Sequence, residues 1–262
     1  MNAAWRGFAE ELARWRDAGR AVEFWWRDDD AARPDAALAR LLALAQRTAM
    51  PLALAAIPLQ SGNETFAGVG PAISILQHGT DHRNRAAGGE KKTEFSVAEA
   101  PGAAVARLLA AQERLAALAR ERFVPVLAPP WNRLPDAVLP HLAAAGFRGL
   151  SRYGARAAAL AAPGVPQVNT HVDLIAWRSG RGFAGEEASL AAAVRHLAAK
   201  RAGRQDSAEP TGWLSHHAAH DEAAWAFLER VFETTRQAPG VRWRRSPPPL
   251  RGSAECRRNG RS

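Results

Sequence analysis

The chain of 262 residues has a single cysteine, Cys256, so no disulfide can form within it, and any metal centre must be built from histidine and carboxylate. Long apolar runs are absent too. The longest, Ala49 to Leu59, is interrupted by Pro51 and Pro58 and falls short of the ~20 residues a membrane-spanning helix needs. The first 20 residues mix acids and bases and lack the apolar stretch of a secretory signal, so a cytoplasmic protein is expected. Lysine is scarce, at three of the 35 basic residues; with abundant alanine this points to a compositional bias rather than to a selected nucleic-acid face. The net charge of +9 is concentrated at the end, where seven arginines after Val241 face one acid, Glu255. A charge run of this kind is usually solvated, and no specific nucleic-acid partner is expected.

With 47% hydrophobic and 23% charged residues, the chain can bury one sizeable core. Trp5, Phe8, Leu12 and Trp15 recur at helical spacing, which predicts a leading helix. Val22-Glu-Phe-Trp-Trp is a β-rich run that should end at Arg27-Asp28-Asp29-Asp30, because like charges do not continue a buried strand. Further strands are expected at Leu52–Ile57, Ala72–Gln77, Phe123–Leu127, Phe147–Ser151, Val168–Trp177 and Gly212–Ser215. Helices are expected at Pro34–Arg47, Val97–Arg120, Pro135–Ala145, Glu186–Arg201 and Glu222–Arg236. This alternation predicts an α/β protein, a parallel barrel or a variant of it with about seven strands. One domain is expected over residues 1–245, followed by a basic tail, 246–262, without periodicity and expected to be disordered.

In a parallel barrel, catalytic groups project from the C-terminal ends of strands. Those ends carry Asp28-Asp29-Asp30, His78 to His82, Pro130-Trp131, Asp173 and His216-His217. Taken singly, the acids could form a solvated turn or a helix cap, and the histidines could be surface residues. Placed after Phe24-Trp25-Trp26, however, a carboxylate at the barrel mouth needs a cation or hydrogen bonds. His78 and His82, four residues apart, would face one way from a helical turn. Two imidazoles and a carboxylate make a three-ligand set that leaves positions open for water and substrate. Alternation along the last strand turns Leu214 and His216 to one face, while His217 and His220 could equally be ordinary helix-start residues. His141 and His196 sit in helical patterns as surface or packing residues.

The order Asp-Asp, His-x-x-x-His, Pro-Pro-Trp, Asp and Leu-x-His resembles the polysaccharide deacetylases of the NodB-homology type, carbohydrate esterase family four, over Val22 to Arg236. The resemblance implies a distorted, incomplete (β/α) barrel that uses one divalent metal to remove acetyl groups from N-acetylated sugars. Zinc is the first expectation, with cobalt, manganese or nickel as alternatives. It implies Asp29 as base and Asp30 as metal ligand if Arg27 opens the first motif; shifting the frame by one gives Asp28 and Asp29. His78 and His82 match the ligand histidines, with Gly79 where the family has a hydroxyl residue. Asp173 and Trp177 resemble the fourth motif, and Leu214-Ser215-His216 the fifth, whose histidine is the acid. Pro130, Trp131, Leu214 and Trp177 would then border the substrate, and Asp173 would hydrogen-bond His216. Ala128 stands where the family carries an arginine that steadies the base, and Arg27, Arg133 and Arg152 are the candidates to replace it.

The resulting expectation is a metal-dependent N-deacetylase acting on an acetylated saccharide. Two alternatives are a related C–N hydrolase acting on a small non-sugar amide or imide, and a glycan-binding barrel that has lost full activity. Lys91-Lys92-Thr93-Glu94-Phe95, beyond a Gly-rich loop, reads either as a lid or as a solvated loop.

Overall fold

A computed structural model describes residues 2–245; the tail 246–262, including Cys256 and the expected disorder, lies outside the described residues. Helix α1 (Ala3–Asp17) is capped by the Asn2 side chain and buries Trp5, Phe8, Leu12 and Trp15, the stripe that its spacing predicts. Strand β1 (Val22–Ala31) follows, then α2 (Ala36–Thr48), β2 (Leu52–Ala56), β3 (Ile73–His78), α3 (Pro101–Ala119) and β4 (Phe123–Ala128). The short strands β5 (Gly149–Leu150), β6 (Leu160–Ala162), β7 (Val165–Pro166) and β8 (Val172–Asp173) lead to α4 (Glu186–Arg201), β9 (Thr211–Ser215), α5 (Glu222–Arg236) and β10 (Val241–Trp243). No helix among the described residues is long and apolar enough to cross a membrane.

Seven strands form one parallel sheet in the order β5-β4-β3-β2-β1-β9-β8, and β10 pairs with the first three residues of β1. Among the described residues no strand pairing joins β5 to β8; isolated bridges, Leu150 to Gln167 and Tyr153 to Thr170, lie in the opening instead. The fold is thus a distorted, incomplete (β/α) barrel.

Strand alternation divides the side chains between two environments. Phe24, Trp26, Ile75 and Trp213 join the large outer core beneath the helices. Trp25 instead belongs to a small inner cluster with Ala53, Ala55, Leu76, Val126 and Ala128. The inner alanines make room for one indole, whose Nε1 donates to Asn169 O at 3.0 Å. Gly212 completes that fit, since a Cβ there would lie 2.4 Å from Trp25 Nε1 and 2.6 Å from Asn169 O. This inner parity also carries Arg27, Asp29, His78, Asp173, Leu214 and His216.

Four expectations are corrected. β1 does not stop at the aspartates but runs through them to Ala31, with Asp28 and Asp29 buried. Residues 135–145 form no α-helix: Asp136–His141 is a 3-10 segment containing Pro140, which has no N–H to donate and crowds the carbonyl four residues back. Val168–Trp177 keeps only two strand residues, its polar side chains being drawn into contacts across the barrel opening. Val241–Trp243, where no strand is expected, forms strand β10, because Trp243 packs on Phe24 and Phe232.

Gly212→Ala is expected to lower the unfolding free energy by about 2–3 kcal/mol through overpacking against backbone. Gly102→Ala, in open space in the first turn of α3, should leave it unchanged or raise it by about 0.5–1 kcal/mol. Urea unfolding of both variants, with the order of effects reversed, would refute this account of the inner face.

Candidate metal centre and active site

The three aspartates of β1 take three different directions. Asp28 points to the helix side: its Oδ1 lies 2.5 Å from His217 Nδ1, and its Oδ2 accepts from Ser215 Oγ at 2.5 Å and His217 N at 3.1 Å. Burial alone would push the Asp28 carboxyl up, but the charge and hydrogen bond of His217 outweigh it and hold the pKa below the usual value. The same contact raises His217 against the effect of its own burial. Asp29 points inward, with Oδ2 accepting from Arg27 Nη2 at 2.8 Å and Oδ1 lying 2.8 Å from Arg27 Nε. Alternation would send Asp30 outward after Asp28. Instead the β1–β2 register breaks between Asp28 and Ala31, and Asp30 takes a left-handed φ of 73°, which turns its carboxylate back to the barrel mouth. The base–ligand frame implied by the resemblance therefore fits Asp29 and Asp30 geometrically, and Asp28 is occupied elsewhere.

His78 ends β3 on the inner face, and its Nδ1 is 2.8 Å from Ala128 O. A carbonyl can only accept, so the proton sits on Nδ1 and Nε2 presents a lone pair. That lone pair lies 3.0 Å from Asp30 Oδ1, and His82 Nε2 lies 3.2 Å from the same oxygen. Asp30 Oδ1 is a buried atom with no hydrogen-bond donor among the described residues. Three donor atoms facing one point require a proton or a cation between them. Burial is the largest influence on Asp30 and pushes it up, yet contact with His78 and His82 holds it well below the usual range. His78 is correspondingly raised, since Asp29 and Asp30 outweigh the downward effect of burial. One carboxylate and two imidazoles suit zinc or a similar divalent ion.

The helical turn expected between the two histidines is not present. Gly79 and His82 both adopt φ of 58° in a loop, and the rings converge to 5.2 Å. The loop is held by Glu94, a residue without a periodic signal. Its fully buried carboxylate accepts from the main-chain N–H of Thr80 at 2.9 Å, Asp81 at 3.2 Å and His82 at 3.3 Å, and from the Thr80 hydroxyl. A Cβ on Gly79 would lie 2.1 Å from Glu94 Oε2 and 2.6 Å from Pro130 Cδ. Glycine after the first histidine is therefore the counterpart of this inserted carboxylate, and the Lys91–Phe95 segment anchors the site rather than forming a solvated loop.

Among the three arginines proposed to replace a cation at Ala128, Arg27 is the one that contacts Asp29. Its guanidinium is fully buried, with Nη1 donating to Ser151 O at 3.1 Å and Ser151 Oγ at 2.7 Å, and Nη2 also donating to Asn132 Oδ1 at 2.8 Å. Asn132 and Trp131 belong to the 3-10 turn Pro130–Asn132, with φ of 57° and 55°. Together with Asp30 and His82, they make four of the seven non-glycine residues at positive φ among those described, a concentration typical of functional sites. Trp131 packs against the His82 ring at 4.5 Å.

Across the mouth, Leu214 is buried between its Cα partners Arg27 and Asp173. His216 follows on the same face, edge-on to Trp177 at 4.7 Å. The expected Asp173–His216 hydrogen bond is not made. Asp173 Oδ1 lies 3.9 Å from His216 Nδ1, which has no hydrogen-bond partner among the described residues, because Asp173 accepts instead from Ile175 N at 3.0 Å and Trp177 Nε1 at 2.9 Å. Burial, reinforced by Asp29, raises the Asp173 pKa against the effect of His216. His217 is committed to Asp28, so His216 is the one of the pair that faces the barrel.

A second grouping, His171, His196 and Glu209, also brings three potential ligand atoms together. Here the main chain dictates the opposite tautomer: Gly212 N donates to His171 Nδ1 at 3.0 Å, so Nε2 carries the proton toward Glu209 Oε2 at 3.3 Å. A protonated ring nitrogen cannot ligate a metal. His196 stacks on His171 at 3.5 Å and is pushed down to about 2 by burial, His171 and Lys200, in keeping with a packing role.

Asp28→Asn is expected to lower the unfolding free energy by about 3–5 kcal/mol, the usual cost of breaking a buried pair, while zinc binding survives. Asp28 stabilises above its unfolded pKa and loses that contribution as pH falls through its lowered folded value. His217 stabilises below its unfolded pKa and loses the contribution as pH rises through its raised folded value. Asp28→Asn should flatten both limbs of the stability–pH profile. Asp30→Asn should instead abolish tight zinc binding. Glu94→Ala should weaken zinc binding by about 10–100-fold in calorimetry, with Glu94→Gln intermediate; unchanged affinity in both would remove Glu94 from the site.

No protein-family model and no curated protein matches the sequence. Solved structures do match in fold. An esterase of carbohydrate esterase family four from Streptococcus mutans superposes with a TM-score of 0.57 at 13% identity, over 90% of this chain and 89% of that one. A family four carbohydrate esterase from Streptomyces lividans, in complex with acetate, gives 0.52 at 12% identity, over 84% and 90%. The chain has the fold of the family four polysaccharide deacetylases.

Proposed function

We propose that the protein removes an N-acetyl group from an acetylated saccharide by hydrolysis, with a divalent metal held by Asp30, His78 and His82. The observation that carries this proposal is the meeting, at one barrel mouth, of a carboxylate fixed by a guanidinium, three donor atoms facing one point, and a histidine across from them. The fold likeness to carbohydrate esterases supports it, as does the acetate bound by the Streptomyces lividans enzyme.

When bound, the metal supplies a Lewis acid for the acetyl carbonyl and lowers the pKa of water; zinc is the first choice, with cobalt, manganese or nickel as alternatives. Asp29 takes the proton from the attacking water as general base, and Arg27 fixes the direction of its lone pairs. His216 as imidazolium gives a proton to the departing amine, so that the C–N bond breaks to acetate and a free amino sugar. Asp173 lies 3.9 Å away and does not constrain the ring. Leu214 and Pro130 present apolar surface to the acetyl methyl, and Trp131 and Trp177 border the sugar. Arg27, reaching Asp29 from the same strand, takes the place of the family arginine absent at Ala128. That contact supports the active-enzyme reading over a glycan-binding barrel.

Purified protein is expected to contain close to one metal per chain and to release acetate from N-acetylglucosamine oligomers. His78→Ala and Asp30→Ala should lose both. Asp29→Asn should keep the metal and lose about 10²–10⁴ in rate, the usual contribution of a positioned base. A fully metallated wild type that releases no acetate from any N-acetylated saccharide, neutral or phosphorylated, would sink the assignment.

A further inference from the structure

Arg133 and Arg152, released from the role at Ala128, share another location. Both line a cleft of about 370 Å³ together with Lys91, Glu90, Phe95 and Leu134. None of the three cations has a carboxylate within ion-pair distance among the described residues. Arg133 Nη1 donates to Lys92 O at 2.5 Å and Arg152 Nη2 to Gln167 Oε1 at 3.3 Å, both neutral acceptors. Glu90 sets one negative charge against them, with its oxygens turned to Ala87 N at 2.7 Å, Val97 N at 2.9 Å and Ser96 Oγ at 2.8 Å. The cleft therefore carries a surplus of two positive charges over an apolar floor formed by Phe95 and Leu134.

Its position relative to the barrel mouth is fixed covalently. Asn132 also lines the cleft and accepts from Arg27, and Ser151 holds the other arm of Arg27. Arg133 and Arg152 are the next residues along the chain from these two. A ligand in the cleft is thus separated from Asp29 by one shared wall.

We propose that this cleft binds a phosphoryl group, and that the substrate is an acetamido sugar carrying one. The sugar part of the inference rests on the deacetylase reading; the anion part does not. Two guanidinium forks from different segments, with a lysine beside them, match a tetrahedral oxyanion. A phosphate monoester carries about −1.5 to −2 charges at pH 7, which suits the surplus of two better than a single carboxylate does. The phosphoryl group could come from a sugar phosphate or from a nucleoside diphosphate sugar.

The test is calorimetry of the zinc-loaded protein with N-acetylglucosamine 1-phosphate, UDP-N-acetylglucosamine and neutral di-N-acetylchitobiose, with acetate release followed on the same samples. The phosphorylated ligands should bind about tenfold or more tightly than the neutral one. The Arg133→Ala/Arg152→Ala double variant should bring all three within about twofold, and Arg133→Lys/Arg152→Lys should keep part of the preference. Tight binding of both phosphorylated ligands assigns the phosphoryl group itself; tight binding of UDP-N-acetylglucosamine alone assigns a nucleoside diphosphate sugar. Equal affinity for all three in the wild type, or a preference that survives the double alanine variant, would overturn the proposal. Acetate release without a phosphoryl preference removes the cleft and leaves the deacetylase; a phosphoryl preference without acetate release does the reverse.

Discussion

Three adjacent carboxylates, the first two of them buried, can share one strand only if each meets its own positive or donor partner, and the molecule is arranged around that demand. Asp28 is answered from the end of β9 by His217 and Ser215, Asp29 from its own strand by Arg27, and Asp30 from β3 and the loop beyond it by His78 and His82. The partners come from three directions because strand alternation and one register break send the three side chains three ways. Central placement of β1, paired with β2, β9 and β10, is what lets all of them arrive. Without the left-handed turn at Asp30, two acids would share the helix side and only one would remain at the mouth.

Main-chain atoms then decide what each histidine can do. His78 and His171 are both buried, and each lies beside another histidine and an acid. A carbonyl at Nδ1 gives His78 a free Nε2 lone pair, whereas an amide at Nδ1 gives His171 a protonated one. The difference is one of backbone register: Ala128 is the Cα partner of His78 on β4, and Gly212 N belongs to β9. Residue type and proximity would rank the two groups alike. The direction of a single hydrogen bond separates them.

Much of this was legible in the sequence where a period or a motif order carried it. Helices α1, α2 and α5 follow directly from apolar spacing and strands β2, β3, β4 and β9 from short apolar runs, and Asp30, His78 and His82 meet as their order implies. What spacing could not convey was how they meet. An i, i+4 interval suggested a helical turn, but the rings converge through a strained loop whose support, Glu94, lies 12 residues beyond His82 and is fixed only by tertiary contact. Like-charge repulsion suggested the end of β1, and the counter-charges that overturn it come from distant segments. Asp173 was expected to hydrogen-bond His216, but its two nearer donors, Ile175 N and Trp177 Nε1, take its oxygens first.

On the proposed reading, Arg27 supplies from β1 the charge that the resemblance would place at Ala128. Two positions apart on one strand, Arg27 and Asp29 necessarily share a face, so the guanidinium reaches the carboxylate without crossing to another strand. The cost is that Arg27 is wholly buried and its terminal nitrogens need acceptors, which Ser151, Asn132 and Asp29 supply. Lysine could not do this, since only a planar fork serves three acceptor groups at fixed angles. The same arrangement ties the turn Pro130–Asn132 and the segment after β5 to β1. Those are the two segments that carry Arg133 and Arg152 to the neighbouring cleft. One buried side chain therefore sets the direction of the proposed base and the distance from it at which a bound anion would sit, so a change that shifts Arg27 moves both together.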